Sequence, residues 1–242
     1  GHCRAEKYQH GLHLSHSMKI LLIDTTHPLL ESTLEKAGHQ LTDGTNWTHQ
    51  EVLSNLKNYE GVVIRSRIPV DEAFFQAAEK LKCIGRFGAG LENINLDIAA
   101  QHGVTCLNVP EGNRQAVGEH TLGLLLSLMN NLRRADREVR SGVWKRHENT
   151  GIELSGKTVG IIGFGNMGQS FARVLQGFDV TILANDPYLE NWPEDLAQSA
   201  SLPKLQEQAD VISLHVPLTE ETRQMVDNSF WAAHCVLQQY LH

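Results

Sequence analysis

One stretch limits this chain more than any other: residues 158–168 read Thr-Val-Gly-Ile-Ile-Gly-Phe-Gly-Asn-Met-Gly. A short apolar strand, Val159 to Ile162, empties into a G-x-G-x-x-G turn, and the pattern Phe171, Val174, Leu175 after it has helical spacing. Each glycine has a separate physical task. Gly163 permits the tight turn, Gly165 lets the backbone approach a pyrophosphate, and Gly168 allows a helix to pack closely on a strand. A helix starting at Asn166 presents unpaired N–H groups, those of Asn166 and Met167 among them, to phosphate oxygens. A second strand, Val180 to Leu183, follows, and Asp186 stands at its end, roughly 20 residues after the glycines, where an acid can take a ribose. A glycine-rich turn in some other α/β protein is the competing reading, and it does not require this whole context.

The rest of the sequence alternates strand and helix, the pattern of parallel sheets with helices on both faces. Lys19 to Asp24 reads as a strand. Pro28 sits in the first turn of a helix carrying Leu29, Leu30, Leu34 and Ala37, which Gly38 ends. Thr48 and Glu51 form a capping-box pair before Val52, Leu53 and Leu56. Val62 to Arg65, Lys82 to Arg86 and Val104 to Asn108 read as strands, with helices at Asp71 to Lys80 and Ile94 to His102. A complete first layer of five strands is expected, four of them in these segments. One long helix is predicted over Ala116 to Arg140, with Leu122, Leu125, Leu126 and Met129 inward and Arg133, Arg134, Arg137 and Arg140 as a solvated face suited to its C-terminus. The domain boundary falls near Asn113 to Gly118. A second unit then reads Thr158 to Gly163 strand, Asn166 to Gly177 helix, Asp179 to Leu183 strand, Leu202 to Gln208 helix and Asp210 to His215 strand.

The expected fold is therefore α/β, with two doubly wound parallel-sheet domains. Residues 18–115 form the first and 116–242 the second, an incomplete Rossmann domain. Residues 1–17, polar and rich in histidine, read as a leader or tag. The longest apolar run, Leu122 to Met129, falls well short of the roughly 20 residues a membrane helix needs. A net charge of -7 gives no electrostatic footprint for nucleic acid or an anionic membrane. Cys3, Cys83, Cys106 and Cys235 include no C-x-x-C pair, as expected of reduced thiols in a cytoplasmic protein. No metal site is expected.

In open parallel sheets ligands bind beyond the carboxyl ends of the strands. In the first layer those ends are Arg65-Ser66-Arg67, Gly88-Ala89-Gly90 and Asn108 to Asn113; in the second they are the glycine turn, Asp186 and His215-Val216-Pro217. Two arginines and three small residues with free N–H groups make an anion pocket for a carboxylate or phosphate. Equally, Gly88 and Gly90 could only turn the chain while Arg65 pairs with a local acid.

From Met18 to Ser229 the chain resembles the D-2-hydroxyacid dehydrogenases, nearest their phosphoglycerate dehydrogenase branch. The resemblance rests on residues 63–66, 85–94 and 108–113, on Glu119-His120-Thr121, on Gly142-Val143-Trp144, on the fingerprint, and on residues 210–219. It implies a flavodoxin-like substrate domain and a Rossmann NAD domain. The substrate carboxylate would be held by the backbone of Ala89 and Gly90, with Arg65, Ser66 and Asn113 beside it. For NAD it implies Gly163, Gly165, Asn166, Met167 and Gly168 at the pyrophosphate, Asp186 on the adenosine ribose, and His215, Val216 and Pro217 along the dinucleotide. An Asp at the ribose suits NAD over NADP, because it accepts both hydroxyls and repels a 2'-phosphate. A homodimer through Glu119 to Trp144 is implied for the complete protein.

Hydride exchange at an alcohol carbon needs a cation on the carboxylate and an acid/base group with pKa near neutrality. The family supplies Arg, Glu and His downstream of the segment matched by His215 to Thr222. Here the last arginine is Arg223 and the last glutamate Glu221, and residues 231–242 hold no Arg, Asp or Glu. His234 does not match the family's histidine. Glu119 and His120 are adjacent on a helix, so they point about 100° apart and form no dyad. No catalytic residue is assigned, and the expectation is a C-terminally shortened NAD-dependent oxidoreductase of D-3-phosphoglycerate or a related acid. The alternatives are a catalytically silent NAD-binding or interaction module, or an unstable fragment with an uncovered edge at His215.

Overall fold

Leu21 alternates with Ile20 and Leu22 along the first strand, Ile23 follows just past its end, and all four are buried. Burial on both faces is what a strand needs when helices cover each side of a parallel sheet. The computed structural model describes residues 17–232. The leader reading for residues 1–16 and the discussion of His234 lie outside the described residues. The chain divides between Pro110 and Glu111 into two units.

In the first unit the strands are β1 (Lys19–Leu22), β2 (Gln40–Asp43), β3 (Gly61–Ile64), β4 (Cys83–Arg86) and β5 (Thr105–Asn108). They pair in the order β2-β1-β3-β4-β5, every pair parallel, which is the flavodoxin-like order. The helices are α1 (Pro28–Lys36), α2 (His49–Asn55), α3 (Glu72–Ala77) and α4 (Leu96–Gln101). Side-chain caps start them: Thr48 with Glu51 in a reciprocal box, Asp71 on Phe74 N–H and Asn95 on Ile98 N–H. One face of the sheet packs Leu21, Ile23, Val62, Ile64 and Ile84 on Phe74 and Phe75; the other packs Ile20, Leu22 and Val63 on Leu30 and Leu34. The fifth strand is β2, an edge strand whose Gln-Leu-Thr-Asp sequence carries a single aliphatic residue to mark it.

The second unit holds α5 (Arg114–Met129), α6 (Leu132–Arg140), β6 (Thr158–Ile162), α7 (Asn166–Leu175), β7 (Thr181–Asn185), β8 (Gln198–Ser199), α8 (Leu202–Gln208), β9 (Val211–Leu214) and α9 (Asn228–Ala232). The sheet order is β8-β7-β6-β9, all parallel. The single helix predicted over Ala116 to Arg140 is two. Asn131 sits in the left-handed region (φ 52°) between α5 and α6, and Asn tolerates that conformation better than most residues. On α5, Leu125 is buried and Leu122, Leu126 and Met129 pack against the second core, whereas α6 buries nothing. The two-residue β8 escaped the sequence reading, being too short for any period.

Close helix packing fixes this unit. A Cβ on Gly118 of α5 would lie 2.8 Å from Ser170 Oγ on α7, and one on Gly160 of β6 would lie 2.6 Å from Leu205 Cδ2 on α8. Phe230 joins Ile162, Leu205 and Ala209 in a small core to which Ile212 of β9 also contributes. The apolar side of β9 is thus partly covered, though β9 remains an edge among the described residues.

Candidate functional site: a dinucleotide turn and an anion nest

Strand order reverses at β6, which makes the carboxyl end of that strand the switch point of its sheet. Gly163 follows it at φ 87°, its N–H bonded to the Asn185 carbonyl (2.8 Å). A Cβ there would lie 2.6 Å from the His215 carbonyl oxygen, so a side chain would push β9 away. On Gly168 a Cβ would meet the Gly163 carbonyl at 2.2 Å, while at Gly165 nothing lies within 4 Å. The three glycines therefore do different work: the first turns, the last packs, and the middle one faces open space.

The first backbone bond of α7 runs from Gln169 N–H to the Gly165 carbonyl (3.0 Å). No side chain caps this helix. The N–H groups of Asn166, Met167 and Gly168 consequently have no acceptor among the described residues, and with the helix dipole they suit an anion. Gln169 Nε2 holds the turn by donating to the Phe164 carbonyl (2.9 Å), and the Phe164 ring stacks on Trp192 at 5.0 Å. Asp186 is fixed from two sides: Phe164 N–H donates to Oδ2 (2.8 Å) and Tyr188 N–H to Oδ1 (3.0 Å). Each carboxylate oxygen keeps a lone pair for a hydroxyl donor. The open Cβ position at Gly165, the uncapped helix start and the fixed acid fit a dinucleotide.

His215 closes the far side. Its backbone N–H bonds the Ile162 carbonyl (2.7 Å), its Nε2 lies 2.9 Å from Ser213 Oγ, and its ring tilts on Phe171 at 5.6 Å. Burial lowers its pKa, which favours the neutral imidazole. Val216 packs into the small core beside Ile162, and the Pro217 carbonyl accepts Thr222 Oγ1 (2.5 Å).

In the first unit the switch point lies between β1 and β3, and Asp24 and Arg65 stand there. The two arginines of the expected anion pocket have different fates. Arg67 is consumed: it pairs with Asp24 (3.4 Å) and donates to the carbonyls of Trp47 (2.6 Å), Gly44 (3.1 Å) and Ile23. Arg65 gives only its backbone N–H to Asp24 (2.6 Å), while its exposed guanidinium lies 5.8 Å from the Phe87 ring centre and, among the described residues, in no ion pair. Arg67 thus leaves the pocket and Arg65 stays available.

The Gly88-Ala89-Gly90 loop has all three carbonyls tied down, to Val109 N–H (3.0 Å), to Asn108 Nδ2 (2.5 Å) and to Arg86 Nη1 respectively. The N–H groups of Ala89 and Gly90 have no acceptor among the described residues. Carbonyls turned back and amides left free suit an anion, and the Glu92 carboxylate, paired with Arg86 (3.5 Å), already lies against Gly90. Arg86 also reaches the Arg65 carbonyl (3.2 Å), and Asn93 Nδ2 donates to that same oxygen (3.2 Å), so the two loops are stitched together beside exposed Ser66. Arg86, Asn93 and Asn108 were not singled out from sequence, because their work is to hold backbone. Asn113 belongs to the second unit, where it starts α5 without a side-chain cap bond.

Comparison with known proteins fits this geometry. Residues 122–233 match the family described as D-isomer specific 2-hydroxyacid dehydrogenase, NAD binding domain. Residues 122–233 belong to that family. The chain is 36% identical over 215 residues to D-3-phosphoglycerate dehydrogenase of Methanocaldococcus jannaschii, covering 86% of this chain and 40% of the relative. Against the human D-3-phosphoglycerate dehydrogenase it is 32% identical over 217 residues, 88% of this chain and 40% of the relative. The chain thus spans about two fifths of the length of these curated relatives. Among solved structures, apo D-lactate dehydrogenase of Escherichia coli superposes with a TM-score of 0.72 at 28% identity, over 89% of this chain and 70% of that one. A glyoxylate reductase from Paecilomyes thermophila gives 0.79 at 25% identity, over 90% and 70%. The dinucleotide of this family is NAD, and the residues at the turn fit it. No helix among the described residues is long and apolar enough to cross a membrane.

Proposed function

We propose that this chain carries the cofactor-binding turn and the carboxylate-binding strand ends of an NAD-dependent oxidoreductase of D-2-hydroxy acids, D-3-phosphoglycerate or a related acid. The observation that carries the reading is the start of α7, where three free N–H groups meet an open Gly165 and Asp186 waits at the next strand. NAD held there supplies a hydride acceptor. Gly163, Gly165, Asn166, Met167 and Gly168 bind the pyrophosphate, Asp186 the adenosine ribose, and His215, Val216 and Pro217 line the dinucleotide. Ala89 and Gly90 hold the substrate carboxylate by their N–H groups, with Arg65 as its cation and Ser66 as a further donor.

Among the described residues the acid/base role is left unassigned. A general base needs a pKa near the working pH and an orienting partner. His215 bonds a serine and its pKa is lowered by burial. Glu119 accepts from Gln115 Nε2 (2.7 Å) and does not face His120. Taken by itself, this chain binds NADH and does not transfer hydride. Fluorescence titration with NADH, then an assay with D-3-phosphoglycerate, checks both statements. No saturable NADH binding overturns the cofactor reading, and measurable turnover by this chain overturns the unassigned acid/base.

The second unit also exposes large apolar side chains along one stretch: Leu124 (60%), Leu128 (77%), Leu132 (53%), Val139 (53%) and Trp144 (79%). Such exposure marks an association surface. The chain pairs with a second copy through residues 119–144. Sedimentation should show a dimer at micromolar concentration, and Leu128→Asp should shift it to monomer; a wild-type monomer throughout would remove this assignment.

A further inference from the structure

The ends of β7 and β9 flank β6 on opposite sides, so a direct link between them spans the glycine turn. One such link exists. The Tyr188 hydroxyl donates to Glu221 Oε2 at 2.5 Å, across 33 residues of sequence. Tyr188 stands two residues past Asp186 and gives that carboxylate its own backbone N–H (3.0 Å). Glu221 stands on the turn after β9, where Thr219 and Thr222 exchange N–H to Oγ1 bonds (2.8 and 3.3 Å) and Arg223 N–H bonds the Thr219 carbonyl (2.9 Å). Its carboxylate is therefore carried on an ordered turn.

Among the described residues that charge has no cationic partner. Arg223, two residues on, pairs with Glu220 instead (3.6 Å). From Asp186 to Pro203 the sequence contains no Lys or Arg, while Glu190, Glu194 and Asp195 add acid. The bond to Glu221, then its charge, then desolvation and last the charge of Asp186 raise the Tyr188 pKa, which favours the phenol as a neutral donor to Glu221.

We propose that Glu221, aimed by the Tyr188 hydroxyl, is a second carboxylate at the adenosine ribose that joins Asp186 in shutting out the 2'-phosphate of NADP. The inference rests on the reading of Asp186 as the ribose acid. A 2'-phosphate brings about -1.5 to -2 of charge at pH 7, like any phosphomonoester. It would approach Asp186 and Glu221 along a stretch, Asp186 to Pro203, that offers no arginine to receive it. Because Glu221 is exposed, its field acts through solvent and is screened by salt. A change at Asp186 alone would leave this second field in place.

The test is a pair of fluorescence titrations, NADH and NADPH, on the full chain and on Glu221→Gln and Tyr188→Phe. In low salt, Glu221→Gln should raise the NADPH-to-NADH affinity ratio about three- to tenfold, the scale of a unit charge acting through solvent over a few ångströms. Raising the salt to about 0.5 M should shrink that gain. Tyr188→Phe, which releases the carboxylate, should move the ratio the same way by less. An unchanged ratio in Glu221→Gln, with wild-type NADH binding intact, overturns the proposal. Failure of the wild-type chain to bind NADH overturns the cofactor reading and this proposal with it.

Discussion

Gly168→Ala is expected to weaken NADH binding by about a hundredfold, the loss that a misplacement of roughly 1 Å at a site can cause. The added methyl would sit 2.2 Å from the Gly163 carbonyl oxygen and 3.2 Å from Ile161 Cγ2. The first of these is backbone, so no rotamer change relieves it. Helix α7 must move off β6, and it takes with it the three N–H groups that meet the pyrophosphate. Overpacking of this kind also costs about 1–3 kcal/mol of stability. Gly165→Ala is the informative comparison. Its methyl meets no atom within 4 Å, so the protein should unfold at the wild-type denaturant concentration yet bind NADH more weakly, because the methyl occupies the space a phosphate would approach. NADH titration and urea unfolding of both variants separate the two effects. If Gly168→Ala matched wild type in both measurements, the close approach of α7 to the turn would be wrong.

Those glycines were legible in the sequence because their roles are local. A turn at φ 87°, a helix start and a helix-on-strand contact all arise within residues 158–168, and the residue type alone announces them. The parallel alternation of the first unit was legible for a similar reason, since Val62 to Ile64 and the capping box at Thr48 are continuous signals. What escaped depended on partners distant in sequence. Nothing near Arg67 says that Gly44 and Trp47 will take its guanidinium, so it read as equal to Arg65. Strands β2 and β8 exist because β1 and β7 offer them an edge, and their own residues carry no strong period. The break at Asn131 lay inside an otherwise helical pattern, where one left-handed residue ends one helix and starts another. The Tyr188 to Glu221 bond joins loops that only the strand order brings together.

Asp186 carries the second large effect, because its carboxylate serves the fold and the ligand at once. Asp186→Ala leaves the Phe164 and Tyr188 N–H groups without their acceptor, and it removes both oxygens from the ribose. A hydrogen bond to a charged group contributes about 1.5–3 kcal/mol, so losing the ribose bonds should weaken NADH by roughly a hundredfold. The orphaned Phe164 N–H should lower the unfolding free energy by a further 1–2 kcal/mol or about that. Asp186→Asn separates the two roles. Its remaining carbonyl oxygen can still accept one backbone N–H, so much of the stability should return, while the ribose loses a charged acceptor and NADH affinity stays down by about tenfold. Titration and chemical unfolding of the two variants, side by side, check this ordering. Equal NADH affinity in wild type and Asp186→Ala would mean that the acid is a clamp for the turn alone, and that the ribose is held elsewhere.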